Sequence, residues 1–204
     1  MSIQARKERE KLEMRTLILK AAKDLFLVDG FEKTSIRNIA EKIEYSPGTI
    51  YQYFDDKDDI FLTIHIQAFD RLMALFNKVS DIANPFERLR EIGKIYVEFA
   101  LGNPEMYDLM FSMRAPMASL QAKKEEWGCG FEAFDFLKQT LQECIEQGLI
   151  RFQNTELATI SIWAHVHGLV SLYIHERFQM LPPEQVSTII HTCMDNMMEL
   201  IKKE

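Results

Sequence analysis

Residues 46–54 combine side chains that can read base edges with side chains that can bind phosphates. Gln52 carries an amide that can form two hydrogen bonds to adenine, and the hydroxyls of Tyr51 and Tyr53 can donate to phosphate oxygens. This combination within one short segment predicts contact with the major groove of double-stranded DNA.

Helical geometry separates the buried side of this segment from its exposed side. At about 100° per residue, the apolar pair Ile50 and Phe54 sets the direction of the core, and Gln52 lies about opposite to it. One tyrosine falls on each flank of Gln52, so we expect the two phenols to reach the two walls of the groove. The predicted groove-facing set is Gly48, Thr49, Tyr51, Gln52 and Tyr53.

Histidine and cysteine do not form a recognisable catalytic or metal-binding pattern. His165 and His167 are two residues apart on a predicted helix and point in different directions, and no carboxylate or cysteine follows at the spacing that would complete a metal site. The sequence has no G-x-S-x-G motif and no P-loop. We therefore expect no metal, no cofactor and no catalytic residue, and enzyme activity is the less favoured alternative.

Two short helices joined by a tight turn would position the DNA-reading segment. Apolar residues at helical spacing follow Ser35, which is placed to cap the first helix. Ser46 followed by Pro47 is a typical start for the second. The three or four residues between the two helices give the spacing of a helix-turn-helix. An earlier helix is expected to end in a left-handed cap at Gly30.

The remainder of the chain is also predicted to be helical. Apolar periodicity, capping residues and Pro or Gly breaks predict helices over about 57–80, 85–102, 155–178 and 183–202. Between the second and third of these, they predict a short helix that begins at 104, a loop at 114–119 and a long helix that ends at 147. No convincing run of period-two alternation predicts a strand. The expected fold class is all-α.

The segment TSIRNIAEKIEYSPGTIYQYFDDK, residues 34–57, resembles the signature of TetR-family transcriptional regulators. The preceding AAKDLFLVDGF, residues 21–31, resembles the first helix and turn of the same family. The resemblance extends over about residues 13–65. It implies a helix-turn-helix DNA-binding domain over 1–57 and a larger helical domain over 58–204 for effector binding and dimerisation.

Carried over residue by residue, the resemblance implies contacts from the second helix, a recognition segment and a phosphate contact at the start of the fourth helix. The implied DNA-binding set is Ser35, Arg37, Ser46, Pro47, Gly48, Thr49, Tyr51, Gln52, Tyr53 and Lys57. Glu44 stands where the family usually has glycine in the turn. We therefore expect a costly positive φ at Glu44, and an acidic group close to DNA.

Charge and composition fit this organisation. The net charge is -7, but residues 1–54 hold ten Lys or Arg against eight Asp or Glu, so the basic charge is concentrated at the head of the chain. Three cysteines without a secretory leader indicate a reducing, cytoplasmic setting. Residues 157–175 have membrane-spanning length, but their six Ser, Thr and His side chains favour a buried helix.

An adaptable apolar cluster in the C-terminal region is the candidate effector site. Methionine fills irregular space, so the methionines at 106, 110, 113 and 117 suit a flexible apolar ligand, with ordinary core packing as the open alternative. Residues 163–168 and 99–104 are also similar to one large subgroup of TetR regulators. The candidate contacts are Met106, Tyr107, Met110, Phe111, Phe134, Trp163 and His167.

The last two predicted helices favour a homodimer. The helix over 157–174 is apolar on nearly every side, and the last helix carries a near-heptad seam, which together predict a four-helix bundle between subunits. The seam consists of Val186, Ile189, Ile190, Cys193, Met194, Met197 and Ile201. We expect a repressor that binds a palindrome, with half-sites about one turn (roughly 34 Å) apart or a small multiple, and that an apolar effector releases. The alternative is a helical ligand-binding or scaffold protein without DNA function.

Overall fold

The computed structural model describes residues 2–112 and 128–203, and for residues 128 and 129 it describes the backbone alone. Within these ranges the chain is predominantly helical and has no β-strand, only an isolated antiparallel bridge between Ile150 and Lys202. The predicted all-α fold class is therefore confirmed. The predicted loop at 114–119, and Met113 and Met117, lie outside the described residues.

The chain forms two compact units that do not follow the sequence order. The first unit comprises Met1–Ala68 with Asp108–Gly128, and the second comprises Phe69–Tyr107 with Cys129–Glu204. The first contains α1 (Ile3–Asp29), α2 (Ile36–Lys42), α3 (Pro47–Ile50), the start of α4 (Lys57–Phe76) and a π-helical stretch, Asp108–Ser112. The second contains the end of α4, α5 (Pro85–Gly102), α6 (Pro104–Tyr107), α7 (Gly128–Glu146), α8 (Thr155–Ile174) and α9 (Pro183–Ile201).

The first unit is built on an apolar core that joins its helices. The rings of Phe26, Phe31 and Phe61 lie with their centroids 5.2 to 5.7 Å apart. Leu109 packs into the same core, although more than forty residues separate it from α4's first turn. The first compact unit extends to Ala68, because the first half of α4 and the stretch around Leu109 complete this core, and the functional division at Lys57 stays a prediction.

The second unit has its own core, to which α5, α7, α8 and α9 contribute. Its buried members are Phe86, Leu89, Leu141, Cys144, Ile150, Ala158, Ile162, Met198 and Ile201. Side-chain caps start two of these helices: Asn84 Oδ1 accepts from the backbone amides of Phe86 and Glu87, and Asn154 Oδ1 accepts from that of Leu157.

A buried cation ties α5 to α7 within the second unit. Arg88 forms an ion pair with Glu143, and its guanidinium also donates to the carbonyl oxygen of Ile82 at 3.1 Å and to Thr140 Oγ1 at 3.4 Å. The Arg88 side chain is only 11% exposed. A charge this deeply placed is tolerated because several acceptors replace its hydration.

Several predicted helix ends differ from the structure. Helix α4 gives way to a 3-10 turn at Asn77–Val79, and α8 ends at Ile174 rather than near residue 178. Gly30 does end α1 with a positive φ of 83°, but its ψ of 156° is extended, so the expected left-handed helical cap is wrong. Glycine tolerates this conformation because it has no Cβ.

Helix α8 buries one face only. By length and composition it could cross a membrane, yet its buried residues, which include Ala158, Ile162 and Val166, lie along one stripe. Only 28% of its most apolar window is buried within one chain, so much of its apolar surface is exposed there. Leu157, Ile160, Leu172 and Tyr173 are exposed.

Candidate nucleic-acid interface and effector cluster

The turn before α3 has a defined hydrogen-bond pattern. The amide of Tyr45 donates to the carbonyl oxygen of Ala40 at 2.9 Å, and that of Glu44 donates to Glu41 at 3.1 Å. This pair of bonds is the Schellman arrangement, which requires a left-handed residue after the helix. Glu44 is that residue, with a φ of 60°, so the predicted positive φ is confirmed.

Two residues start α3 as expected. Ser46 caps the helix by accepting from the Thr49 amide at 3.3 Å, its hydroxyl lies 3.1 Å from Thr49 Oγ1, and Pro47 occupies the first helical position. The helix ends at Ile50, and Tyr51 to Tyr53 continue as a turn. The recognition segment is therefore shorter than a regular helix through Phe54.

The facing of the recognition segment agrees with the predicted core direction. Ile50 and Phe54 are buried, whereas Gly48 and Gln52 are exposed. Thr49 is half-buried. A Cβ built on Gly48 would meet only the Ser46 hydroxyl, at 3.7 Å, so the surface there is open to a close approach.

The two tyrosines on the flanks of Gln52 are not equivalent. Tyr51 is 58% exposed, but Tyr53 is half-buried and packs against the core of the first unit. The ring of Tyr53 therefore lies partly against the core, and a phosphate contact from its hydroxyl stays a prediction.

The implied contacts on α2 are exposed. Ser35 caps α2 and exchanges hydrogen bonds with Asn38 in a capping box, so its hydroxyl already holds the helix start. Arg37 lies two residues farther along the same helix and pairs with Glu41 at 2.9 Å. Both partners are well exposed, so this ion pair can exchange for a phosphate at little cost.

Lys57 makes an internal contact at the start of α4. Its ammonium donates to the carbonyl oxygen of Phe31 at 2.7 Å and lies 4.0 Å from the centre of the Phe31 ring. The implied phosphate contact stays a prediction. An ammonium has three donors, so the contact to Phe31 does not use all of them.

Sequence reasoning missed Arg15 of α1. Its guanidinium donates to the carbonyl oxygen of Tyr53 at 2.5 Å and lies 4.1 Å from the centre of the Phe54 ring. Arg15 thereby holds the end of the recognition segment against α1. The available signal was its position in the apolar stripe of α1, three residues before Ile18.

Within the second unit, four of the predicted effector residues form one aromatic and hydrogen-bonded cluster. The Tyr107 hydroxyl lies 2.6 Å from His167 Nδ1, the two rings stack at 5.4 Å, and Trp163 lies 5.7 Å from His167. Phe134 packs edge-on against Trp163 at 6.1 Å. Tyr96, which the sequence did not single out, joins them with its hydroxyl 3.2 Å from His167 Nδ1.

Burial sets the protonation of this cluster. It raises the pKa of Tyr96 to about 12, against the opposing effect of hydrogen bonds with Tyr107 and Trp163, and it lowers the pKa of His167 below the ordinary value for histidine. Tyr96 and His167 are therefore neutral at pH 7, and their polar atoms interact through hydrogen bonds.

The remaining predicted effector residues are divided between the units. Met106 is half-buried in the second unit beside Tyr107, whereas Met110 and Phe111 belong to the first unit. A cavity of about 30 Å³ lies between α5 and α9, lined in part by Arg90, Val97 and Met194. That volume accommodates a water or two and no larger molecule.

The chain matches two descriptions of known families. "Bacterial regulatory proteins, tetR family" matches residues 18–64, and "Tetracyclin repressor-like, C-terminal domain" matches residues 89–197. The HTH-type transcriptional regulator HbdR of Aromatoleum sp. (strain CIB) is 40% identical over 78 residues, which are 38% of this chain and 34% of HbdR. The match thus spans about a third of that relative's length.

Two solved structures share the fold over most of their length. The TetR-family regulator PfmR of Thermus thermophilus superposes with a TM-score of 0.69 at 21% identity, covering 89% of this chain and 97% of PfmR. The regulator FadR of Bacillus subtilis, solved with stearoyl-CoA, superposes with a TM-score of 0.73 at 17% identity, covering 91% of this chain and 98% of FadR. With both family descriptions matched and the helix-turn-helix formed, the chain belongs to the TetR family of transcriptional regulators.

Proposed function

We propose that the protein is a homodimeric repressor that binds a palindromic operator and leaves it when a small, largely apolar effector binds. The observation that carries the proposal is the exposed surface around Gln52, held in place by the Ser46 cap, the Glu44 turn and the Arg15 contact. A regulator of this kind acts on chromosomal DNA, so we place it in the cytoplasm.

The exposure of these side chains supports separate roles in DNA binding. Gln52 is proposed to read a base, because its side chain is exposed between the buried Ile50 and Phe54 and its amide can bond adenine in two places. Arg37 and Tyr51 are exposed and positioned to bind phosphates, which fix the register without reading sequence. Tyr53 also supports the segment, since its ring packs on the core and its carbonyl oxygen accepts from Arg15.

The dimer is proposed to form through α8 and α9. Apolar side chains that are exposed on α8 within one chain would lie against the partner. The predicted seam on α9 divides: Val186, Ile190 and Ile201 are buried in their own subunit, Met194 is half-buried and lines the small cavity against α5, and Ile189, Cys193 and Met197 are half-buried. Those three, with exposed Leu200, form the face available to a second copy.

The effector site is proposed at the cluster of Tyr96, Tyr107, Phe134, Trp163 and His167. Nδ1 of His167 lies within hydrogen-bond distance of the hydroxyls of Tyr107 and Tyr96, so these three side chains supply the polar groups of the proposed site. Phe134 and Trp163 supply apolar surface. FadR was solved with stearoyl-CoA, so an acyl chain with a polar head group is the ligand class that we propose to test first.

Selection from random-sequence DNA followed by gel shift tests the proposal. We expect selected sites to be two-fold symmetric, with half-sites about one helical turn apart or a small multiple of it. Addition of an acyl-CoA should weaken binding by roughly 1–3 kcal/mol. A single unpaired half-site, or a monomer in sedimentation, contradicts the dimer. Failure to select any sequence supports instead a ligand-binding or scaffold protein without DNA function.

A further inference from the structure

Helix α1 extends well beyond the core of the first unit. Its residues 3–13, which we call the N-terminal arm, are all exposed, and the first buried side chain of α1 is Ile18. An exposed helical extension buries little apolar surface, so packing does not explain it. The arm is instead rich in charge: Arg6, Lys7, Arg9 and Lys11 alternate with Glu8, Glu10 and Glu13.

The charged side chains of the arm differ in whether they form ion pairs within it. Arg6 pairs with Glu10 at 2.7 Å and Arg9 pairs with Glu13 at 3.7 Å, so these four side chains largely neutralise one another. Lys7 and Lys11 take no part in those ion pairs.

Lys7 and Lys11 continue the stripe that faces the core of the first unit. Going along α1, positions 7, 11, 15, 18 and 22 follow at steps of four, four, three and four residues, which places them on one face of a helix. Ile18 and Ala22 on this stripe are fully buried. Glu8 lies at its edge. N-terminal to Ile18, where α1 extends beyond the core, the positions on this stripe therefore change from apolar to cationic.

Arg15 fixes where this cationic stripe lies relative to the DNA-reading surface. It contacts the Tyr53 carbonyl and the Phe54 ring, and thus sits at the end of the recognition segment within the same unit. At about 1.5 Å per residue, Lys11 follows about 6 Å and Lys7 about 12 Å farther along the helix axis. The stripe is therefore continuous with the proposed interface.

We propose that the N-terminal arm binds the DNA backbone next to each half-site, with Lys7 and Lys11 contacting phosphates that the recognition segment does not reach. The inference rests on the proposed DNA-binding function and adds contacts to it. Phosphate contacts are independent of sequence, so the arm would increase affinity and the salt dependence of binding without changing the preferred site.

The test uses the full chain and its selected operator, with the dissociation constant measured as a function of salt. We expect Lys7→Gln with Lys11→Gln to reduce the slope of log K against log salt by about 0.9 for each lost contact, or roughly two per subunit. Affinity should fall at least about tenfold at about 0.1 M salt, and the preferred sequence should not change. Phosphate-ethylation interference should lose its signals outside the half-sites.

Two controls separate this effect from loss of structure or of bulk charge. Lys7→Arg with Lys11→Arg keeps both charges and should restore the slope. Lys20→Gln removes an exposed cation of α1 that lies off the stripe, and it should leave the slope near the wild-type value. An unchanged slope in the double glutamine variant overturns the arm contact while leaving DNA binding intact. Weaker binding that the arginine variant does not restore overturns it as well, and a wild-type protein that selects no DNA overturns both proposals.

Discussion

The two units place their functional groups in opposite environments. In the first unit the proposed base-reading and phosphate-binding side chains are exposed on short elements held by local caps, as with Ser46 and Ser35. In the second unit the proposed ligand-binding groups are packed against one another, and Tyr107 contacts His167, which is sixty positions away in the sequence. The difference shows that a DNA surface can be encoded by local sequence, whereas a ligand cluster depends on the packing of distant helices.

The largest expected effect contrasts a buried ion pair with an exposed one. Arg88→Ala leaves Glu143 without its partner inside the second unit, so we expect a loss of about 3–5 kcal/mol in the free energy of unfolding. Arg37→Ala removes an exposed pair of the first unit and should cost at most about 1 kcal/mol. Urea denaturation followed by circular dichroism measures both. Equal losses would contradict the contrast between the units.

His65 is a buried titratable side chain of the first unit, and it should make stability depend on pH. Burial lowers the pKa of His65 to about 4, against an opposing effect of a backbone hydrogen bond with Leu109. Protonation therefore favours the unfolded chain, and stability should fall as the pH drops from about 6.5 to about 4, by about 3 kcal/mol in all.

The free energy of unfolding measured at intervals across this pH range checks the expectation for His65. Other groups titrate in the same range, so the informative quantity is the difference between the wild type and His65→Leu. The variant should lose this part of the pH dependence. Parallel curves for the two proteins would show that His65 is not protonated on unfolding.

Removal of the proposed base-reading side chain should have a smaller effect, which falls on operator binding. Gln52→Ala should flatten the preference at one base pair in each half-site and cost roughly 1–3 kcal/mol against the best site. Repeating the selection with the variant measures this.

Lys57→Ala provides the comparison, because loss of a phosphate contact should weaken binding to all sequences alike and reduce the slope of log K against log salt by about one per subunit. An unchanged site in Gln52→Ala would move the reading role to Tyr51.

The smallest effect concerns the turn before the recognition segment. Glu44→Gly relieves a positive φ and removes an acidic group near DNA, so we expect a gain of about 0.5–1 kcal/mol in stability together with tighter operator binding. Thermal unfolding and gel shift measure the two quantities. Glu44→Gln keeps the strained conformation without the charge, so it should tighten DNA binding without the gain in stability.

Local signals were sufficient for most of the first unit. The Ser46-Pro47 start, the positive φ at Glu44 and the burial of Ile50 and Phe54 all follow from neighbouring residues, and the structure confirms them. The orientation of Tyr53 was not predictable in the same way. It depends on the turn after Ile50 and on Arg15, which is thirty-eight positions away.

The second unit was less accessible to sequence reasoning. Tyr107, Trp163 and His167 were identified as apolar or polar pocket residues, but Tyr96 was not, because its only signal is a contact across helices. Met110 and Phe111 follow Tyr107 closely in the sequence yet belong to the first unit. Proximity along the chain is a poor guide where the chain passes between units.

The discontinuous first unit limits how this protein can be divided. Leu109 is part of its core but is encoded after α5 and α6, so a fragment that ends at Lys57 or even at Ala68 lacks a piece of its own interior. Such a fragment should be less stable than the same residues in the full chain. An exchange of DNA-binding units between regulators of this architecture would therefore have to include the stretch around Leu109 as well as the helix-turn-helix. Recombination at a single junction in the chain is disfavoured for this reason.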